Sequence, residues 1–256
     1  MLQSIAIHLT IRNNNFHKST FLNSTNFITG SLYEKTAQLS NYFKLTTQNQ
    51  DLIEENQILR NHIAFLSSKK DSLPEITKTD SIHYHQKFSY TSGKIIKNEY
   101  HKPFNYLLIN KGNLSGISKE MAVFNHKGII GITEKTTENY TRVQSILNKN
   151  TRISARLKNG SNYFGPLLWD GKDYRQVQLT DIPRQANVKV GDTIVTSGRS
   201  TIFPEGILVG TVLKIDNRTS TDNQISVQLF NDMSNLRHVY IVKNLHKLEL
   251  KTLENE

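Results

Sequence analysis

Two serines, Ser197 and Ser200, sit in the stretch "SGRSTIFPEGILVGTV", with His126, His238 and His246 as candidate bases elsewhere in the chain. A serine nucleophile needs a base, a carboxylate to orient that base, and oxyanion donors, commonly supplied by glycine-rich backbone around the serine. Here Gly198 and Arg199 follow Ser197, and no glycine directly precedes it. Pro204 and Gly206 read more simply as a tight turn between strands, with the proline presetting the first corner and the glycine closing it. His83 and His85 in "HYH", with His101 beyond, are the nearest approach to a metal set, but no cysteine exists and a fourth ligand is missing. Asp170 and Asp173 flank Gly171 at a turn, where a glycosidase pair would need perturbed surroundings. "KGNLSG" (Lys111–Gly116) has two glycines but follows an extended segment without an opening helix, so it reads as a turn and not as a phosphate loop. The expectation is no catalytic, cofactor or metal residues.

Lys and Arg outnumber Asp and Glu by 32 to 22 over 256 residues, a formal net charge of +10. Such a surplus favours acidic partners. The basic residues are scattered and no nucleic-acid-binding motif is present, so nucleic acid is not the expected partner. A basic binder of nucleic acid or of an anionic surface, and a two-barrel hydrolase, remain the alternatives to a non-catalytic interaction protein. The opening "MLQSIAIHLTIRNNN" holds about ten apolar-leaning residues, Leu2 to Ile11, fewer than the roughly 18 that span a bilayer. It reads either as a ragged surface strand or as the outer end of a membrane helix.

The elements behind these residues fall into two kinds. Residues 31–68 contain neither proline nor glycine, and a helix over them would be ~57 Å long. Leu45, Leu52, Leu59 and Leu66 recur every seven residues, with Asn49, Asn56 and Ile63 between them. That is a heptad with leucine at d and Asn, Asn, Ile at a, the pattern of a two-stranded coiled coil whose asparagines fix register, the alternative being an amphipathic helix packed on its own domain. Upstream, Tyr42 fits an a position and Gln38 makes a poor d. Gln57 and Arg60 are placed on the polar, solvent-facing side. Residues 69–86 read as a linker, leaving 1–30 as a membrane-proximal segment.

From 87 to 250 the apolar period becomes two, with turn signals between short runs. Twelve strands are expected: Lys87–Ile96, Tyr106–Asn110, Met121–Phe124, Ile129–Glu134, Arg142–Leu147, Arg152–Leu157, Tyr163–Trp169, Arg175–Leu179, Thr193–Thr196, Leu208–Ile215, Ile225–Leu229 and His238–Val242. "KEMAVFNHKGIIGIT" (Lys119–Thr133) resembles "KVGDTIVTSGRSTIFPEGILVGTV" (Lys189–Val212). Each has a strand, a loop ending in glycine (Gly128, Gly206), an apolar step, and a second glycine (Gly131, Gly210). This repeat suggests two small barrels, provisionally divided as 87–110 plus 185–250 and 111–184. The fold class is mainly β with a long N-terminal helix.

Several segments together resemble the bacterial rod shape-determining MreC family: "FHKSTFLNSTNFITGSLYE", "ENQILRNHI", "NYLLINKGNLSGISKEMAVFNHKGIIGI", "ISARLKNGSNYFGPLLWDGKDYRQVQLTDIP" and "VKVGDTIVTSGRSTIFPEGILVGTV". The resemblance covers residues 16 to 245 and is greatest to members from the Bacteroidetes group. It implies a single-pass anchor, a coiled-coil stalk, and two periplasmic barrels arranged as in trypsin without its triad. It further implies a non-enzymatic scaffold of the elongation machinery that self-associates into dimers or filaments. The implied partners are a class B penicillin-binding protein, MreD, RodZ and the MreB-associated complex. Where the family carries a full membrane helix, only the apolar stretch before Arg12 is present.

Overall fold

Alternating apolar residues place twelve strands along the chain in a computed structural model that describes residues 2–6, 45–67, 87–159, 163–216 and 222–254. They are β1 (Phe88–Asn98), β2 (Phe104–Ile109), β3 (Ala122–Phe124), β4 (Ile129–Thr136), β5 (Thr141–Asn148) and β6 (Ile153–Leu157), followed by β7 (Phe164–Leu168), β8 (Gln176–Pro183), β9 (Thr193–Thr196), β10 (Leu208–Asp216), β11 (Asp222–Leu229) and β12 (His238–Asn244). The linker 69–86, most of 1–30 and the upstream seam at Gln38 and Tyr42 lie outside the described residues.

The strands close into two six-membered antiparallel barrels, β1-β12-β3-β4-β5-β2 and β10-β11-β8-β7-β6-β9. They are shared out differently from the division expected from the sequence. The second barrel is one continuous segment, β6 to β11, and the first takes β1 to β5 plus β12 from beyond it. Replacing β12 by β6, and β1 to β5 by β7 to β11, reproduces every strand pairing of one barrel in the other. The two are therefore the same topology, with the first barrel closed by its last strand instead of its first.

Inward residues fill each barrel in register with the pleat. In β6, Ile153, Ala155 and Leu157 are buried while Ser154 and Arg156 are partly exposed. In β8 the alternation runs through Val177 and Leu179, then breaks at Asp181, whose φ is +60°. There the register with β11 shifts between Asn223 and Ile225, so Thr180 and Asp181 together face one partner residue. The bulge turns Ile182 inward, where it is fully buried. This is why a strand expected to stop at Leu179 continues to Pro183.

The repeated hairpins occupy equivalent places. Gly131 in β4 pairs with Ser145 of β5, and Gly210 in β10 pairs with Leu229 of β11. A Cβ would lie 2.2 Å from the Gln144 carbonyl oxygen at Gly131, and 1.9 Å from the Gln228 carbonyl oxygen at Gly210. Strands pass too closely at both points for any side chain.

The C-terminal helix, Lys247–Glu254, is held to the first barrel by one carboxylate. Lys251 reaches Glu120 at 2.5 Å and Lys247 at 3.0 Å, and Lys247 also donates to the Glu120 carbonyl. Hydrogen bonds from Lys251 and then Lys247 hold the Glu120 carboxyl at about 2. Glu120 itself adopts φ +60°, a conformation costly outside glycine.

Two outcomes follow from this geometry. Gly210→Ala should lower stability by about 2–3 kcal/mol through overpacking against backbone that cannot yield, read as a lower urea midpoint at unchanged slope. The Glu120 latch, with its carboxyl pKa depressed, is fully present above the ordinary carboxylate value near 4.5 and is lost as pH falls toward 2. Hydrogen exchange of residues 247–254 should therefore accelerate, relative to the barrel strands, as pH falls from 5 toward 2. In Glu120→Gln that acid-dependent step should vanish.

Candidate functional site: the joint of the helix and two barrels

One helix runs over residues 45–67. Leu45, Leu52, Leu59, Ile63 and Leu66 are each about half exposed or more, and Asn49 and Asn56 are also exposed. Opposite this apolar row, Gln57, Arg60 and Asn61 are half-buried. They lie three and four residues apart and so share one helix face. The sequence reading put Gln57 and Arg60 in solvent; the structure sets them against the first barrel. Their side chains meet groups that the sheet leaves open.

Those groups belong to β1. Its first half pairs with β12 over Phe88 to Lys94, but β2 pairs only from Ile95 onward, so among the described residues one edge of the first half has no strand beside it. Asn61 covers that edge as a neighbouring strand would. Its Oδ1 accepts from the Tyr90 N–H at 2.9 Å, and its Nδ2 donates to the Tyr90 carbonyl at 3.1 Å. The Gln57 Oε1 accepts from the Ser92 N–H at 2.8 Å. An uncovered edge would expose these backbone groups to stray pairing. The signal in the sequence was the pair of amides four residues apart, which a search for heptads passes over.

Arg60 sits between the two amides. Its guanidinium lies 5.1 Å from the Phe124 ring centroid and 5.0 Å from that of Tyr240. The Tyr90 ring packs edge-on against Phe124 at 6.2 Å. Burial pushes the Tyr90 and Tyr240 hydroxyls up, opposed by the Arg60 charge. Among the described residues the buried Arg60 Nε has no hydrogen-bond partner. Arg60, Tyr90, Phe124 and His126 line one side of a cavity of about 240 Å³, and residues 204–208 of the second barrel line the other.

The barrels meet at the same place. A Cβ on Gly128 would lie 2.5 Å from the Leu208 carbonyl oxygen, so this glycine lets the β3–β4 turn touch β10. Asn231 donates to the Gly128 and Ile129 carbonyls at 2.9 and 3.0 Å. Asn98 donates to Met233 at 2.7 Å, and Asn244 to Thr201 at 2.9 Å. Asparagine amides thus tie the β11–β12 connection, and the β9–β10 loop of the second barrel, to the first barrel.

The candidate chemistry dissolves into turn bracing. The Ser197 hydroxyl bonds the Ser154 hydroxyl at 2.7 Å and accepts from the Arg199 N–H. The Ser200 oxygen accepts from the Ile202 and Phe203 N–H groups. The Pro204 carbonyl accepts from the Thr196 hydroxyl at 2.6 Å, and the same hydroxyl accepts from the Ile207 N–H. Gly206 has φ +85°, so it stands at a left-handed corner and does not merely close the turn as the sequence suggested. Asp173 pairs with Arg175, which holds its carboxyl below the usual range, and Asp170 accepts from the Lys172 N–H. His101 stacks on Tyr100 at 3.8 Å; His83 and His85 lie outside the described residues. Among the described residues no cluster suits a metal, and no helix is long and apolar enough to cross a membrane.

The family profile described as "Rod shape-determining protein MreC, barrel core" matches residues 95–243, from Ile95 in β1 to the penultimate residue of β12 and more than half of the chain. The chain belongs to the MreC family. The cell shape-determining protein MreC of Listeria monocytogenes is 27% identical over 235 residues, 89% of this chain and 77% of that relative. The Bacillus subtilis MreC is 29% identical over 75% of this chain and 64% of its own length, so the chain spans somewhat less than two thirds of that relative. A solved Listeria monocytogenes MreC superposes with a TM-score of 0.59 at 23% identity, covering 86% of this chain and 96% of that one. As an MreC, the chain is a non-enzymatic scaffold in the determination of cell shape.

The joint makes its own demand. Gln57→Ala with Asn61→Ala should leave β1 backbone groups without partners at a cost of about 1–3 kcal/mol. The Tyr90 and Ser92 amides should then exchange faster in native-state hydrogen exchange, while those of β8 and β11 stay unchanged.

Proposed function

We propose that this chain is a membrane-tethered scaffold on the periplasmic side of the inner membrane, which self-associates through residues 45–67 and binds a class B penicillin-binding transpeptidase. In this reading the 1–30 segment adjoins a single-pass anchor and 69–86 is a linker. The barrels form a trypsin-like pair without a triad, and MreD, RodZ and the MreB-associated complex are neighbours in the assembly. Kinship with Bacteroidetes members belongs to the same reading. The observation that carries it is the exposed row of Leu45, Leu52, Leu59, Ile63 and Leu66 on a chain of the MreC family. Apolar side chains at this spacing gain by burial against a second copy, at ~25 cal/mol per Å². The amide face is engaged by β1, so the apolar face remains for pairing.

Analytical ultracentrifugation of the full chain should show self-association that Leu59→Ser with Leu66→Ser weakens more than tenfold, an effect of about 1.4 kcal/mol or more. Asn49→Leu with Asn56→Leu should tighten pairing and broaden the choice of oligomer. Capture of the periplasmic domain of the cognate class B penicillin-binding protein should survive high salt. Capture lost at modest salt would favour the basic-surface alternative instead.

A further inference from the structure

We infer that the cavity at the joint is an anchor for a carboxylate side chain carried on an extended segment of a partner protein, with Arg60 as its receptor. Three observations converge on that chemistry. The first is a cation with one buried N–H that has no acceptor among the described residues. Arg60 is half-buried, its Nε is buried without a hydrogen bond, and no carboxylate among the described residues pairs with it. Glu205 also lines the cavity, but its carboxylate is engaged by Arg156. A buried guanidinium N–H without an acceptor is costly, and the ordinary remedy is an ionised oxygen that takes two of its donors at once.

The second is the shape and charge of the space. A volume of about 240 Å³ lies below the usual range of cofactor and metabolite pockets. It suits one side chain and its flanking backbone. Arg60 is the only Lys or Arg among the described residues of the lining, which matches the single charge of a carboxylate better than a phosphate dianion. The third is the setting. The rings of Phe124 and Tyr240 hold the guanidinium plane from the barrel side. The turn from Pro204 to Leu208 supplies the facing wall. Net charge +10 on the whole chain draws acidic segments toward it.

Three parts of the fold meet here: the helix, the first barrel through Phe124 and His126, and the second barrel through 204–208. A carboxylate bound to Arg60 would tie the helix to both barrels. The proposal rests on the scaffold reading only for the source of the acidic segment; the chemistry of the pocket stands apart from it.

The test is a titration of the ¹⁵N-labelled full chain, following the Arg60 Nε–H resonance. The probes are the peptide acetyl-Ala-Glu-Ala-amide, its Gln counterpart, and inorganic phosphate. The Glu peptide should shift Arg60 Nε–H, with affinity about tenfold above the Gln peptide, the equivalent of one charge-assisted bond of ~1.4 kcal/mol. Arg60→Lys, which keeps the charge but loses the fork, should weaken the Glu peptide severalfold. Unchanged exchange of the Tyr90 amide would show that the variant helix is still docked. Should Arg60→Lys undock the helix, the Glu and Gln peptides on the unaltered chain decide alone. Equal response to the two peptides, preference for phosphate, or an unaltered Arg60 resonance would overturn the proposal. The transpeptidase capture reports separately on the scaffold reading, so either can fail without the other.

Discussion

The fold depends on the return of β12. The first barrel lacks a sixth strand until the chain, having left β5 at Asn148 and built the whole second barrel, comes back at His238 to pair with both β1 and β3. Closing that gap links distant parts of the sequence, so loop-closure entropy is spent before the contacts repay it. It also fixes how the barrels meet. The connection from β11 to β12 carries Asn231 and Met233, the groups that hydrogen-bond the first barrel at Gly128, Ile129 and Asn98. A second barrel inserted before the closing strand is tied to the first at both of its ends.

From that closure comes the open edge on β1. With β12 on one side and β2 reaching only as far as Ile95, the first half of β1 keeps backbone groups that no described strand pairs. Two side-chain amides on a helix meet them at hydrogen-bond distance, and Arg60 spreads its charge over two rings between them. The helix therefore has two faces with different work. Its amide face completes a barrel, and its leucine face remains apolar and exposed. One helix can serve both because 3.6 residues per turn put the two sets on separate sides.

Glycine and hydroxyl residues that first suggest catalysis serve strand spacing. Gly131 and Gly210 stand where a Cβ would strike a carbonyl, and the Thr196 hydroxyl joins the two arms of the 196–207 loop. A motif rich in Ser, Gly and Pro looks alike in a catalytic loop and in a braced turn, since both need sharp corners and small side chains. The partner of each hydroxyl decides between them, and here the partners are a neighbouring serine and backbone groups.

Much of the local structure was legible from residue order. Alternation of apolar residues marked all twelve strands within a few residues, because burial on one face of a pleat follows a period of two whatever the topology. The heptad of leucines and the two matching glycine hairpins were likewise visible, as local patterns are. The extension of β8 was not, because the Asp181 bulge interrupts the period that reveals a strand. Nor could the sequence assign β12 to the first barrel, place Gly128 against Leu208, or bring Gln57, Arg60 and Asn61 to the edge of β1. Those pairings join residues far apart along the chain, and no local spacing records which distant backbone group a side chain will meet. What the sequence by itself determined was the twelve strands, the helical stretch over 45–67 and the family, while the C-terminal helix Lys247–Glu254 gave no signal that was read. Which elements share a barrel, and which polar groups satisfy one another at the joint, was decided only by closing the tertiary structure.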